Sequence, residues 1–488
     1  MFYMHDLRRS VDERFVGFRP NGASIKPVHI ANGAMRVIYG QSSNTSGVKK
    51  LSYVANANGK IPKGNSLEEV YDYLYHIEAI ESEDISPDAL SALRTVLQKA
   101  LSADGGVFGV DDGMLSYSAG SDFFLTRPAL YEDAGEFAGG LIKEYSPALA
   151  KHIAELLADH NDPISILLEP VSDNSEDQAY NELRHESLDA FSESKDTLRT
   201  FLAELGSAGD CLCEHLKQHP NKLMQLRLFN FYSIFSIVRY LSLLEAFYCE
   251  GNARPFLIDF TGNSQSSIAR SSVMCYTQVH RAISRFYAWG FAQELSRSGY
   301  NKNELLELSA PTYKKSSPTA GASYAELNMM WNLAKEDAVN CDEDEALLIF
   351  GEAIYDMLAL EASSHPVNYL RSLGSLSGIL WPPTNFHVNK RFILSQDMLE
   401  TVLRCCVYPS EVLTAEELRH RLWQRFGIII GGGEEDIKNL YDSGGIVHAD
   451  SDSLHNNFHE FAAAMQGMDF AELMADGVLQ IRLGGKEE

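Results

Sequence analysis

The sequence predicts a mainly α-helical protein: a multi-helical bundle with a small β-rich N-terminal element and a C-terminal winged-helix-like α+β unit. Apolar residues recur at helical spacing through most of residues 66–384. Residues 1–65 instead combine Gly and Asn with short β-branched runs, as in RFVGFRP and SIKPVHI. After Trp381-Pro382-Pro383 the helical patterns resume, and they end on an apolar run, GVLQIRL.

These observations divide the chain into three segments. A basic, β-rich element at 1–65 precedes a large helical domain at 66–384, and a winged-helix-like domain follows at 385–488. Within the helical domain, residues 104–128 predict a β-turn insertion, because Asp-Gly pairs and alternation replace the helical period. A chain of 488 residues is long enough for several such units.

The helical domain begins at Asn65 or Ser66, either of which can cap a helix with two glutamates in its first turn. Its most apolar helix is predicted at Asn221–Glu250, where polar residues fall every three positions and therefore spiral around the helix. We expect that helix to be packed on all sides. A second long helix is predicted at about residues 266–296.

The C-terminal domain is predicted to contain helices at 396–406, 414–427, 434–443 and 452–466 and a closing strand. Residues 386–488 hold nine Lys and Arg against seventeen Asp and Glu. The helix in the position of a recognition helix, GGEEDIKNLYDSG, is itself acidic. Because a DNA-reading helix must approach phosphates, we expect this one to contact protein.

Composition points to a soluble, cytoplasmic protein. Seven cysteines, an odd number scattered through apolar helical stretches, favour reduced thiols. The N-terminus, MFYMHDLRRSVDER, lacks the apolar stretch of a secretory signal. The uncharged run Leu228–Val238 is too short to span a bilayer, so no membrane partner is expected.

Charge is distributed unevenly against a net charge of −26. No Asp or Glu occurs between Arg14 and Gly64, and aromatic residues interleave with the cations there, a combination that suits single-stranded nucleic acid. The candidate nucleic-acid or anion-binding residues of this arm are Arg14, Arg19, Lys26, Arg36, Lys49 and Lys50. The alternative interpretation is that the arm docks onto the chain's own acidic helices or onto a protein partner.

A second acid-free stretch runs from Phe260 to Gln293. Its helix carries Arg270, Arg281 and Arg285, whose spacing would place all three on one side and so let them share an anion. The alternative is that these arginines pair with neighbouring carboxylates, as arginines in acidic proteins usually do.

Evidence for a metal or catalytic site is weak. The segment CLCEHLKQH supplies four potential zinc donors, Cys211, Cys213, His215 and His219, but its spacing matches no established zinc motif, which favours buried thiols and surface histidines. His455 and His459 lie four apart, but asparagines occupy the positions between them where a metalloprotease has its Glu. GxSxG is absent and GIIIGGG lacks the GxGxxG spacing, so we predict no catalytic residue and no cofactor.

The closing region, with LRHRLWQRFGIIIGG followed by MADGVLQIRL, resembles the C-terminal portions of bacterial proteins encoded with phage-defence and DNA-modification-dependent restriction systems. The resemblance covers residues 385–488 and carries over no site residue. It implies a non-catalytic adaptor or scaffold subunit that works beside an ATPase, helicase or nuclease, with DNA as a further candidate partner. The alternatives are a free-standing DNA-binding regulator and a metal-dependent hydrolase.

Overall fold

The computed structural model describes residues 2–20, 25–40, 92, 95, 132–159, 196–249, 251–313, 324–360, 366–383, 389–442, 448–475 and 478–483. This part of the chain is mainly helical, which confirms the predicted class. The described α-helices are α1 (Met4–Val11), α2 (Pro27–Tyr39), α3 (Glu132–Tyr145), α4 (Pro147–Ala158), α5 (Asp196–Gln218), α6 (Lys222–Tyr248), α7 (Ser267–Arg297), α8 (Lys302–Glu307), α9 (Tyr324–Ala338), α10 (Glu343–Ala359), α11 (Pro366–Leu376), α12 (Gln396–Arg404), α13 (Ala415–Phe426), α14 (Glu434–Asp442) and α15 (Ser451–Gly467).

The chain forms two compact units, and neither is continuous in sequence. The first unit comprises Met1–Ile25, Arg184–Cys211 and Phe235–Glu488, and the second comprises Lys26–Leu183 and Leu212–Ile234. The predicted boundaries, by contrast, fall at residues 65 and 384. The difference arises because α5 and α6 each contribute residues to both units, which a division by composition along the chain does not anticipate.

The second unit contains α2, α3 and α4 among its described elements. Helix α2 is buried on nearly every face, and α3 crosses it closely at two glycines. A Cβ on Gly135 would lie 2.6 Å from the carbonyl oxygen of Ile30, and one on Gly139 would lie 2.6 Å from that of Ala34. These glycines therefore set how closely the two helices approach.

The predicted β-rich N-terminal element is wrong where the structure describes it. Residues 4–11 are α-helix, residues 12–16 form one turn of π-helix, and 27–39 are α-helix. Pro27 sits in the first turn of α2, where its fixed φ favours a helix start. All residues of α2 up to Ile38 are buried, including the polar His29, Asn32 and Arg36, so this helix has no exposed face. Residues 41–65 and the predicted insertion at 104–128 lie outside the described residues.

The first unit is built around α7, which packs against α1, α10, α11 and a short hairpin. Gly351 of α10 sits directly on the backbone of Ala288 in α7, and only a residue without a Cβ fits there. Every residue of α6 from Leu228 to Phe247 is buried, which confirms the expectation that this helix is packed on all sides.

The described strands are short: β1 (Phe256–Leu257), β2 (Leu380–Trp381), β3 (Arg391–Phe392), β4 (Val412–Thr414), β5 (Ile428–Ile429), β6 (Ala471–Leu473) and β7 (Leu479–Arg482). Strand β1 pairs in parallel with β5, and β2 pairs antiparallel with β3. The remaining three form an antiparallel sheet in the order β4-β7-β6, with Leu413 and Ile481 on its buried face. Of the helices described here, none has both the length and the apolar character that a bilayer crossing requires.

Candidate anion-binding site

The arginines of the N-terminal arm are held in contacts within the chain. Arg14 Nε lies 2.7 Å from Oε1 of Glu294, and Arg19 pairs with Glu13. Arg36 is buried and donates a 3.2 Å hydrogen bond to Oδ1 of Asn32. The contact of Arg14 with Glu294 on α7 is of the kind that the docking interpretation expects, whereas Arg19 and Arg36 contact residues close to them in sequence.

Of the remaining candidate cations of the arm, the structure describes only Lys26. Lys26 precedes α2, and its backbone N–H donates to Nδ1 of His29. Lys49 and Lys50 lie outside the described residues.

The three arginines of α7 do not converge on one anion. Arg270 sits in the first turn and donates to the carbonyl of Gln265 at 3.0 Å. Arg285 Nη1 lies 3.2 Å from Oε1 of Glu245. Because a helix rises about 1.5 Å per residue, Arg270 and Arg281 are separated by roughly 16 Å along its axis, too far to share a small anion.

Arg281 follows His280 on α7, and two further cations come from elements that contact this helix. Helix α7 contacts α11, which carries Arg371, and it also contacts β3, which begins directly after Lys390. The Lys390 side chain is 1% exposed, and its Nζ donates to Oγ of Ser375 at 2.8 Å and to the carbonyl of Pro382. The next residue, Arg391, pairs with buried Asp259 at 2.8 Å and so does not add to this cluster.

Aromatic packing and a buried hydroxyl fix the hairpin β2–β3 against α7. The ring of Tyr276 lies 6.4 Å from the ring of His280 and 5.9 Å from that of Phe392. The backbone N–H of Phe392 donates a 2.8 Å hydrogen bond to Oγ of Ser272 on α7. The hairpin and the middle of α7 therefore form one rigid support.

The electrostatic potential in this region is positive. Burial, followed by the charges of Arg371 and Arg281, lowers the pKa of His280 to about 4. Burial and the charge of Arg371 lower the pKa of Lys390 to about 8. Burial also lowers the pKa of Arg371 itself. We define His280, Arg281, Arg371 and Lys390 as the basic site.

The chemistry of the basic site suits an oxyanion. Arg281 is exposed, and Arg371 and His280 are half-buried, so their polar groups can reach a ligand at the surface. At neutral pH His280 is uncharged, because its pKa is about 4, and its imidazole can still donate or accept a hydrogen bond. An anion bound here would relieve the mutual repulsion of the cations, which is a direct source of binding free energy.

Sequence reasoning found one member of the basic site and missed the others. Arg281 came from the acid-free stretch at 260–293, but a further stretch without Asp or Glu, residues 362–396, contains both Arg371 and Lys390. That stretch was the available signal. Its packing against α7 could not be inferred, because the contact joins residues about a hundred positions apart.

The four candidate zinc donors, three on α5 and His219 directly after it, are not assembled into a metal site. Cys211, Cys213 and His215 are buried, and Nδ1 of His219 accepts a hydrogen bond from the backbone N–H of Asn221 at 3.2 Å. Burial raises the pKa of Cys211 to about 11, which disfavours the thiolate that binds zinc. Within the described ranges, no cluster of three or more His, Cys, Asp or Glu side chains could hold a metal ion.

No protein-family model matches this chain, and neither a curated protein nor a solved structure is similar enough to be matched to it.

Proposed function

We propose that this chain is a non-catalytic adaptor or scaffold subunit of a bacterial multi-protein, DNA-acting assembly of the phage-defence type, and that it contacts nucleic acid through the basic site. The observation that carries the proposal is a local positive potential in a chain with a net charge of −26: Arg371 helps to lower the pKa of both His280 and Lys390, and Arg281 adds to the effect on His280. A chain with that net charge repels polyanions in general. A local cluster of cations therefore selects where a polyanion can approach.

The residues of the basic site favour binding over catalysis. The site offers guanidinium, ammonium and neutral imidazole groups, which hold an oxyanion by charge and hydrogen bonds. The chemistry of the assembly would then belong to a partner such as an ATPase, helicase or nuclease, which the C-terminal resemblance implies.

The C-terminal elements support a protein-binding role. They follow the order α12, β4, α13, β5, α14, α15, β6 and β7, and the three-stranded sheet with the order β4-β7-β6 favours a winged-helix-like unit. The first turn of α14 is acidic, with Glu434, Glu435 and Asp436. Leu473 and Val478, at the tip of the β6–β7 hairpin, are exposed apolar side chains. An acidic helix and an apolar tip suit a protein partner better than a DNA groove.

The same order of elements favours a second candidate, a free-standing DNA-binding regulator. That function requires a basic recognition surface on the C-terminal unit. The excess of acids over bases in residues 386–488, seventeen against nine, counts against it.

Binding of a labelled DNA oligonucleotide by the purified chain, followed by fluorescence anisotropy, tests the proposal. We expect the double variant R281A/R371A to bind about tenfold or more weakly than the wild type, since two phosphate contacts are lost. The matched control is R270A, an exposed arginine of the same helix outside the basic site, which should retain wild-type affinity. Absence of binding by the wild type, or equal losses in both variants, would refute the nucleic-acid contact.

A further inference from the structure

Helix α9 packs on its neighbours α8 and α10 through one face only. The buried residues of that face are Leu327, Trp331, Ala334 and Ala338. Trp331 anchors it, because its ring lies 4.7 Å from the ring of Phe350 on α10 and its Nε1 donates to the carbonyl oxygen of Leu308 at 3.1 Å. These contacts fix which side of α9 points into the first unit and which side points to solvent.

Two large apolar side chains occupy the solvent side of α9. Met329 is 60% exposed and Leu333 is 53% exposed. Each lies two positions from Trp331, and two positions turn a helix by about 200°, so both point away from the buried face. They are four residues apart and therefore neighbours on the helix surface. An adjacent pair of exposed apolar side chains opposite the core is typical of a surface that contacts a partner.

Acidic residues continue this line at both ends. Glu326 lies three positions before Met329, which places the two on one face of the helix. Glu336 and Asp337 lie three and four positions after Leu333, and all three acids are exposed. We call Glu326, Met329, Leu333, Glu336 and Asp337 the α9 stripe, which has an apolar centre and negatively charged ends.

The surroundings of the α9 stripe are negative as well. Residues 324–360, which form α9, α10 and the turn between them, contain nine Asp and Glu and one Lys. All nine acidic residues are exposed, whereas Lys335 is half-buried. The surroundings therefore repel nucleic acid and anionic lipid. A symmetric contact with a second copy is disfavoured for the same reason, because it would bring the acids of both copies together.

We propose that the α9 stripe binds a basic amphipathic helix of a protein partner, with Met329 and Leu333 packed against the apolar side of that helix and its lysine or arginine side chains beside the surrounding acids. A helix suits the stripe because its own apolar residues recur at every third or fourth position and form an equally narrow line. This inference rests on the adaptor role in the proposed function, and it adds the chemistry of the partner. It does not depend on the basic site.

The test measures binding of a synthetic helical peptide to the full chain by fluorescence anisotropy. The labelled peptide has about 20 residues, with leucines repeating at helical spacing and lysines at the remaining positions. Its counterpart has the same leucines and glutamate in place of each lysine. The wild type should bind the lysine peptide with micromolar affinity and the glutamate peptide at least about tenfold more weakly.

Substitution of the apolar centre tests whether the α9 stripe holds the peptide. M329S/L333S should bind the lysine peptide about tenfold or more weakly, because two apolar contacts are lost. The matched control is L223S/L376S, which removes two exposed leucines from α6 and α11 and should retain wild-type affinity. Thermal unfolding of M329S/L333S should resemble that of the wild type, since both side chains are exposed.

Substitution of the acids gives a second measurement, which does not depend on how well the serine variant folds. E336Q/D337Q should bind the lysine peptide about threefold or more weakly, and its affinity should vary less with salt concentration than that of the wild type. The matched control is D452N/E460Q, which removes two exposed acids from α15 and leaves the same net charge as E336Q/D337Q. This control should bind as the wild type does.

Three outcomes would overturn the inference. If the wild type and M329S/L333S bind the lysine peptide equally, the peptide is held by the net charge of the chain and not by the α9 stripe. If E336Q/D337Q and D452N/E460Q lose affinity equally, the acids of the stripe have no special role. If the wild type forms a dimer in sedimentation analysis and M329S/L333S does not, a second copy occupies this face.

The DNA-binding test keeps this inference separate from the function it rests on. A chain that binds the labelled DNA oligonucleotide but not the lysine peptide refutes the role of the α9 stripe and leaves the nucleic-acid contact standing. A chain that binds the peptide through the stripe but does not bind DNA refutes the nucleic-acid contact and supports the inference.

Discussion

The hydroxyl of Tyr287 donates a 2.7 Å hydrogen bond to Oδ1 of Asp12, a carboxyl group that is only 2% exposed. Asp12 begins the π-helical turn that follows α1, and Tyr287 lies on α7. On its other side, Oδ2 of Asp12 lies 3.3 Å from Nε of Arg8. Burial raises the pKa of Asp12 to about 6, although Arg8 and Tyr287 both act to lower it. The protonation of one buried carboxyl is therefore linked to the packing of α1 on α7.

This linkage predicts a specific pH dependence of stability. Because the pKa of Asp12 is higher in the folded than in the unfolded chain, its stabilising contribution is complete below pH 3.8 and is lost as the pH rises through about 6. A shift of this size corresponds to at most about 3 kcal/mol of unfolding free energy. In D12N this contribution is absent, so the wild type should lose stability relative to D12N between pH 4 and pH 7.

Urea unfolding at a series of pH values measures the unfolding free energy of the wild type and of D12N. Groups other than Asp12 titrate in both proteins, so their contributions cancel in the difference. D196N is the matched control, since Asp196 is exposed and pairs with Arg199 at the surface. Parallel stability profiles for the wild type and D12N would contradict the role given to Asp12.

The contact between Gly351 and Ala288 predicts a large difference between two glycine substitutions. A Cβ at position 351 would overlap the carbonyl oxygen of Ala288, so α7 and α10 would have to separate. We expect G351A to lower the unfolding free energy by about 1 to 3 kcal/mol, despite the better helix propensity of alanine. G467A is the control, because a Cβ there meets no atom within 4 Å. Thermal unfolding of both variants checks the prediction, and a G351A protein as stable as G467A would refute it.

Long periodic segments could be predicted from sequence, whereas buried helices and distant contacts could not. The helices expected at 221–250 and 266–296 occur at Lys222–Tyr248 and Ser267–Arg297, because many consecutive positions define each pattern. Helix α2 was missed because its β-branched residues and glycine resembled strand and turn signals, although His29, Asn32 and Arg36 recur in it at helical spacing. The tertiary structure overrode those local preferences.

The basic site shows the same limit. Arg281 could be found from local charge, but its partners depend on how α11 and β3 fold back onto α7. The helical spacing of Arg270, Arg281 and Arg285 was correct as geometry along one face. The three arginines nevertheless do not share an anion. Arg270 lies roughly 16 Å from Arg281 along the helix axis, and Arg285 forms an ion pair with Glu245.

Lys390 gives the basic site a pH dependence of its own. Since burial and Arg371 lower the pKa of Lys390 to about 8, its ammonium group should lose its proton within the mildly alkaline range. We expect the affinity of the wild type for the labelled DNA oligonucleotide to fall as the pH rises from 7 to 9, because a bound anion favours the protonated form. In K390M the affinity should be lower at pH 7 and should change less with pH. Anisotropy titrations of both proteins at each pH measure this, and identical pH profiles would show that Lys390 does not influence the anion.

Asn457 joins three backbone segments of the first unit. Its Nδ2 donates to the carbonyls of Ile258 at 2.8 Å and Ile430 at 2.7 Å, and its Oδ1 accepts from the N–H of Phe260 at 2.8 Å. It lies between His455 and His459, but the position where a metalloprotease would carry its Glu, directly after the first His, is that of the exposed Asn456. The side chain of Asn457 is buried and tethers α15 to the ends of the β1–β5 pair.

Substitution of Asn457 should therefore cost far more than substitution of its neighbour. In N457L two carbonyls and one N–H are left buried without their hydrogen-bond partner, each at a cost of about 1 kcal/mol or more, so a loss of about 3 to 5 kcal/mol is expected. The control is N456L, whose side chain is exposed and should change the unfolding free energy by less than about 0.5 kcal/mol. Urea unfolding of both variants supplies the comparison. Equal stability would mean that water replaces the amide, and that α15 is held to the β1–β5 pair by apolar contacts such as Phe260 against Phe461 rather than by Asn457.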